Sequence, residues 1–126
     1  MAIERVCVRM PSTLKKALMR KVDSDGYGVR GKSRWIREAF LAMIDRDPGL
    51  QYVGQGDRLE PQDEQELITL PKDLSLLLSD KVLQLRLAAP TLEGPRSLLL
   101  RSAIRYRLAN PGSFLAKPLP RARRSG

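Results

Sequence analysis

From Arg5 to Met10 polar and apolar residues alternate, and after Pro11 the apolar period lengthens from two to about four. The first pattern predicts a short strand with Val6, Val8 and Met10 on one face and Arg5, Cys7 and Arg9 on the other. The second predicts a helix, because Leu14, Leu18 and Val22 recur every fourth residue with Ala17 alongside. The layout then returns. Pro71 lies 60 positions after Pro11 (71 − 11), and Val8, Met10, Leu14, Leu18 and Val22 fall on Ile68, Leu70, Leu74, Leu78 and Val82. Leu77 and Leu85 widen that later stripe. A second helix follows in each half at an offset of 64, matching Lys32-Ser33 to Arg96-Ser97 and Trp35-Ile36-Arg37 to Leu99-Leu100-Arg101. Ala39, Phe40 and Ile44 match Ala103, Ile104 and Leu108 in the same way. The change of offset predicts an inter-helix loop four residues longer in the second half.

This internal duplication divides the chain into a first strand-helix-helix copy at 1–46, an acidic linker at 47–64, a second copy at 65–110 and a basic tail at 111–126, expected to be disordered. Each copy is too short to hold a core alone, so the two halves of this 126-residue chain should share one. The predicted fold is mainly α: four helices around a shared core, with two short strands forming one antiparallel ribbon within the chain. Trp35, Ile36, Phe40, Ile44, Leu99, Leu100, Ile104 and Leu108 are its expected core beside the first-helix stripes. The linker holds Pro48, Pro61 and three glycines and reads as a loop. At roughly 3.3 Å per extended residue it can return the chain to the opposite strand.

Charge narrows the partners. The net charge is +9 and the isoelectric point about 10.3. Residues 1–44 carry ten Lys/Arg against four acids, residues 45–66 hold seven acids, and from Gly94 onward there are eight Lys/Arg and no acid. Two basic modules joined by an acidic linker point to a polyanion. No apolar run is long enough for a spanning helix and no signal-peptide core opens the chain, so no membrane partner and a cytoplasmic location are expected. A lone Cys7 fits a reducing compartment. With that single cysteine and no histidine, zinc sites and histidine-based catalysis are excluded as expectations: no enzyme, no cofactor and no metal.

The run Gly26-Tyr-Gly-Val-Arg-Gly-Lys-Ser33 satisfies a Walker A pattern and G-x-G-x-x-G. Both motifs require a preceding buried strand, and here a basic helical stretch from Leu18 to Asp25 precedes. The glycines read as an inter-helix turn. Phosphate chemistry remains open at its end. Ser33 is a good N-cap type, the first N–H groups of a helix lack partners, and Lys32 stands beside them. Arg96-Ser97 repeats the arrangement.

A strand with alternating basic residues, a proline-marked helix start, a glycine turn and a second helix reading Ser33-Arg-Trp-Ile-Arg-Glu-Ala39 resembles the ribbon-helix-helix family of Arc and MetJ. The resemblance covers about residues 3–46 and 65–109, and two copies in one chain are similar to TraY-type accessory proteins of conjugative DNA transfer. Members normally pair one strand from each of two subunits; here the second copy would replace the partner, giving a monomeric pseudo-dimer. The resemblance implies that Arg5, Cys7 and Arg9, with Gln65, Leu67 and Thr69, enter the DNA major groove. There arginine can address guanine, glutamine adenine, and Leu67 or Thr69 a thymine methyl. It implies that Lys32, Ser33, Arg96 and Ser97 hold backbone phosphates. Glu66 falls where the first copy has core-facing Val6, which predicts a second strand starting one residue later.

The expected function is sequence-specific binding of double-stranded DNA without catalysis, as a transcriptional regulator or a DNA-transfer (relaxosome) accessory. A protein partner in such a complex, and several copies on one DNA, belong to that expectation. The rivals are an antitoxin-type interaction module and a nucleotide-binding enzyme using Gly26–Ser33.

Overall fold

The computed structural model describes residues 3–28, 30–57 and 60–111. Their order is β1 (Ile3–Met10), α1 (Ser12–Ser24), α2 (Lys32–Arg46), β2 (Glu64–Pro71), α3 (Lys72–Ala88) and α4 (Pro95–Ala109). The local chemistry accounts for the boundaries. Pro11 and Pro71 stand at the N-caps of α1 and α3 in extended conformation, ψ 154° and 158°, where a residue without an N–H sacrifices nothing. Gly26, at φ +81°, takes the chain out of α1. Pro95 opens α4 with its φ already set for a helix.

The two strands form one antiparallel sheet within the chain, with Val6 opposite Ile68 and Cys7 opposite Leu67. Val6, Val8, Met10, Ile68 and Leu70 point to one side and are buried, as the alternation requires. They lie on a layer of helices whose centre is Leu18, Trp35, Ile36, Phe40, Leu99, Leu100 and Ile104, each at 2% exposure or less. Ile44 and Leu108 pack against this core half-buried. At about 1.5–3 kcal/mol for each large apolar side chain removed from water, this shared layer is the main source of stability. α2 and α4 pack closely on each other, so the halves are joined through their second helices as well as through the ribbon.

One buried charge ties α4 to the first half. The Arg107 guanidinium stacks on the rings of Trp35 and Tyr27, 4.5 and 5.1 Å from their centroids. It donates to the Trp35 carbonyl at 2.9 Å, the Tyr27 hydroxyl at 2.8 Å and Glu38 at 3.3 Å. The Trp35 indole N–H donates to Asp25 at 2.8 Å, so the largest core residue leaves no polar atom unpaired. Burial would raise the Asp25 carboxyl, but the bonds from Trp35 and Lys21 outweigh it and hold its pKa below the usual range.

Several expectations are corrected. The extra residues of the second half lie in the helix rather than in the loop: α3 has 17 residues against 13 in α1, and the loops are residues 25–31 and 89–94. Helix-favouring residues through Leu85-Arg86-Leu87-Ala88 continue α3 where Asp25-Gly26 stops α1. α3 is also less covered. Leu78 is buried, but Leu74, Leu77, Val82 and Leu85 are half-buried; α3 packs on α4 and the ribbon, and its Lys81 and Gln84 reach the Pro48 carbonyl of the linker. β2 begins at Glu64, one residue beyond the position 60 after Ile3, yet Glu66 lies inside it on the inner face rather than before it.

The linker is more than a tether. Asp47 is buried, and its carboxylate accepts the N–H groups of Gln51 and Tyr52, both at 2.9 Å. Leu50 is in the core, and the Gly54 N–H donates to Ser102 at 3.0 Å. The tail beyond Pro111 lies outside the described residues. Among the described residues no helix is long and apolar enough to cross a membrane.

Candidate nucleic-acid interface

The outer face of the ribbon brings together all six residues assigned to it from sequence. Its cross-strand pairs are Arg5 with Thr69, Cys7 with Leu67 and Arg9 with Gln65. All are exposed except the half-buried Thr69. Leu67 is 55% exposed at the centre, an apolar side chain left in water by its strand parity. Among the described residues no acidic side chain pairs with Arg5 or Arg9. Their guanidiniums stand free at the two ends of the ribbon, with the thiol of Cys7 and its weak 3.5 Å bond to the Gln65 carbonyl between them. A surface of two cations, an amide, a hydroxyl and two apolar side chains can pair with acceptor, donor and methyl groups on base edges.

A two-stranded ribbon has two open edges, and both are held here by helix side chains. On the β2 edge the Thr69 N–H donates to Ser33 Oγ at 3.0 Å, and Arg37 donates to the Thr69 carbonyl at 3.0 Å. On the β1 edge the Arg9 N–H donates to Ser97 Oγ at 3.1 Å, and Arg101 donates to the Arg9 carbonyl at 2.9 Å. The Ser97 hydroxyl also reaches the Cys7 carbonyl at 3.5 Å. A Ser-x-x-x-Arg pair one helical turn apart thus grips a strand residue by both its backbone groups, once in each half. The grips are exchanged: α2 of the first copy holds the strand of the second, and α4 of the second holds the strand of the first.

The serines therefore do not cap their helices. α2 starts at Lys32 behind Gly31, and neither helix start has a side-chain cap bond. The unpaired N–H of the strand edge is the donor within reach, and it takes the hydroxyl. Gly31 is required by space, since a Cβ there would collide with the backbone carbonyl of Tyr27. That close approach, with α1 rather than a strand before it, is what the glycine run serves.

The two cations beside these serines differ. Lys32 turns inward and bonds the carboxylate of Glu66, while Arg96 is exposed. Glu66, at 7% exposure, is also bonded by Lys15 at 2.9 Å, and Lys15 reaches Glu64 at 3.1 Å. Burial would raise the Glu66 carboxyl, but hydrogen bonds from Lys32 and Lys15 outweigh it and set its pKa below the ordinary range. Glu66, and after it Glu64, raise that of Lys15. At the other end of the ribbon Glu4 accepts the hydroxyl of buried Ser75.

Arg101 has a second role that sequence reasoning missed. Its guanidinium makes a forked pair with Asp57 of the linker, 2.9 and 3.0 Å, and Arg105 joins the same carboxylate. Burial would raise Asp57, yet the bonds from Arg101 and Arg105 win and lower its pKa. The available signal was the repeated Ser-x-x-x-Arg spacing, Ser33 to Arg37 and Ser97 to Arg101. Among the described residues no group of three Cys, Asp or Glu is arranged to hold a metal. The chain matches no family model, no curated protein and no solved structure.

Proposed function

We propose that this chain is a tandem ribbon-helix-helix protein that binds double-stranded DNA by laying its single intrachain ribbon in the major groove. It acts as a transcriptional regulator or as an accessory factor of DNA transfer. The observation that carries the proposal is the outer ribbon face, where Arg5, Cys7, Arg9, Gln65, Leu67 and Thr69 project from strands gripped on both edges. Rigid presentation of arginine and glutamine side chains at fixed spacing is what base recognition demands. The net charge of +9 supports attraction to the phosphate backbone. The helix N-termini at Ser33 and Ser97 supply N–H groups for phosphates, with Arg96 the better placed cation because Lys32 is engaged by Glu66.

The two strands carry different residues, so the preferred site is asymmetric, with guanines favoured opposite Arg5 and Arg9. Selection from a random duplex pool identifies the site, and fluorescence anisotropy measures binding to it. Arg9→Ala is expected to weaken the selected site by about 1–3 kcal/mol and to relax the preference at one base pair. Arg96→Ala is expected to weaken all duplexes alike and to lower the salt slope by about one unit. Equal losses on selected and random DNA for Arg9→Ala, or a pool that never converges, would overturn the reading.

A further inference from the structure

The two first helices are equivalents in the repeat, yet their outward faces differ. On α3, Leu76, Leu83 and Leu87 are 62%, 56% and 77% exposed, and spacings of seven and four place them in one stripe. Exposed Asp73 and Asp80 run along one side of that stripe, and exposed Lys72 and Arg86 along the other. On α1, Lys16 stands where α3 has Leu76 and Arg20 where it has Asp80, while exposed Asp23 stands where it has Leu83. Met19, 41% exposed, lies between them. Among the described residues no ion pair within the chain engages Lys16, Arg20 or Asp80.

The two faces also lie at opposite ends of the ribbon. Met10 pairs with Glu64 at one end and Ile3 with Pro71 at the other. α1 leaves from the first end, where Lys15 bonds Glu64, and α3 from the second, where Ser75 bonds Glu4.

From this placement we infer that copies of the chain associate head to tail, α1 of one copy seating on α3 of the next. Lys16 and Arg20 then meet Asp73 and Asp80, and Met19 with the aliphatic stems of the two cations covers the leucine stripe. Self-pairing through α3 would leave Lys16 and Arg20 unmatched, and through α1 it would leave the leucine stripe uncovered; the mixed contact satisfies both. One helix against one helix buries less than the roughly 1,000 Å² of a stable interface, so the contact is weak. The contact joins two different surfaces and leaves the same two exposed at the ends, so copies add head to tail, in an open chain or in a ring according to the rotation between neighbours. The inference does not depend on what the ribbon binds.

Sedimentation equilibrium over a wide concentration range tests it, using three proteins. The wild type is expected to be monomeric when dilute, with a weight-average mass that climbs past the dimer as concentration rises. A variant with Lys16→Glu and Arg20→Glu, and another with Asp73→Ser and Asp80→Lys, should each stay monomeric alone. All four positions are exposed, so far-ultraviolet circular dichroism and melting should match the wild type. Mixed in equal amounts, the two variants present complementary faces and should regain the association. A wild type that stays monomeric throughout or stops at a dimer overturns the inference, as do variants that associate alone or a mixture that does not.

Discussion

Arg101 offers the sharpest test of how the ribbon is held, because its repeat counterpart Arg37 is a built-in control. Both donate to a strand carbonyl, Arg101 to Arg9 at 2.9 Å and Arg37 to Thr69 at 3.0 Å. Arg101 is buried at 8% exposure and also makes the forked pair with Asp57, whereas Arg37 is half-buried and has only the carbonyl bond. Truncating Arg37 to alanine removes one hydrogen bond from a charged donor at a partly wet edge, worth about 1 kcal/mol. Arg101→Ala removes the equivalent bond and strands a mostly buried carboxylate, for which the full cost of a broken buried pair is about 3–5 kcal/mol. Arg105 remains on Asp57 and softens that loss, so about 3 kcal/mol is expected. Urea unfolding at neutral pH should therefore separate the two variants by about 2 kcal/mol. In a double-mutant cycle Arg101→Ala and Asp57→Asn should couple by more than about 1 kcal/mol, since they share one interaction. Equal losses from Arg37→Ala and Arg101→Ala, or additive Arg101 and Asp57 effects, would refute the idea that the linker carboxylate anchors this grip.

Other expectations follow from the packing and the titrating groups. Phe40→Ala should lower stability by about 3–5 kcal/mol, as the ring is almost fully buried at the centre of the core; an unchanged melting midpoint would remove it from that core. The Glu66 pKa is depressed in the folded chain, so its stabilising effect is complete above the unfolded value of about 4.3 and is lost as pH falls through the folded value. Glu66→Gln should thus be clearly less stable than wild type at pH 7, with the gap narrowing in acid; parallel unfolding midpoints at neutral and acid pH would contradict the Lys15–Glu66–Lys32 cluster. Because both strands come from one chain, dilute protein at micromolar concentration should sediment as a monomer. A dimer that persists on dilution would mean that strands pair between chains.

The alternation around Val6, Val8 and Met10 and the four-residue stripe at Leu14, Leu18 and Val22 were legible because each element buries one face, and burial writes its period into composition. The repeat then placed β2 opposite β1 and put Gln65, Leu67 and Thr69 on the face of Arg5, Cys7 and Arg9. The misreadings came where polar residues choose among partners that only the fold brings together. Ser33 has the composition of a cap, but the strand edge at Thr69 competes for its hydroxyl and wins. Lys32 reads as a free cation until Glu66 arrives from 34 residues away. Glu66 looked misplaced on a core face because its two lysines lie on other elements. Asp57 was only one of the acids of the linker for the same reason, because Arg101 and Arg105 lie on α4. The longer α3 was visible only as a shift of offset, which cannot say whether helix or loop absorbs the extra residues.

The exchanged grips act on backbone N–H and C=O groups, the only parts of the strands that every residue type except proline shares. Nothing in the way the ribbon is seated depends on which side chain stands at its outer positions. The outer face is thus an interchangeable alphabet on a fixed carrier: changes at positions 5, 7, 65 and 67 alter what is presented without moving where it is presented. Joining the copies in one chain extends that freedom, because each strand can vary by itself. A protein assembled from two identical subunits would have every change imposed on both strands at once.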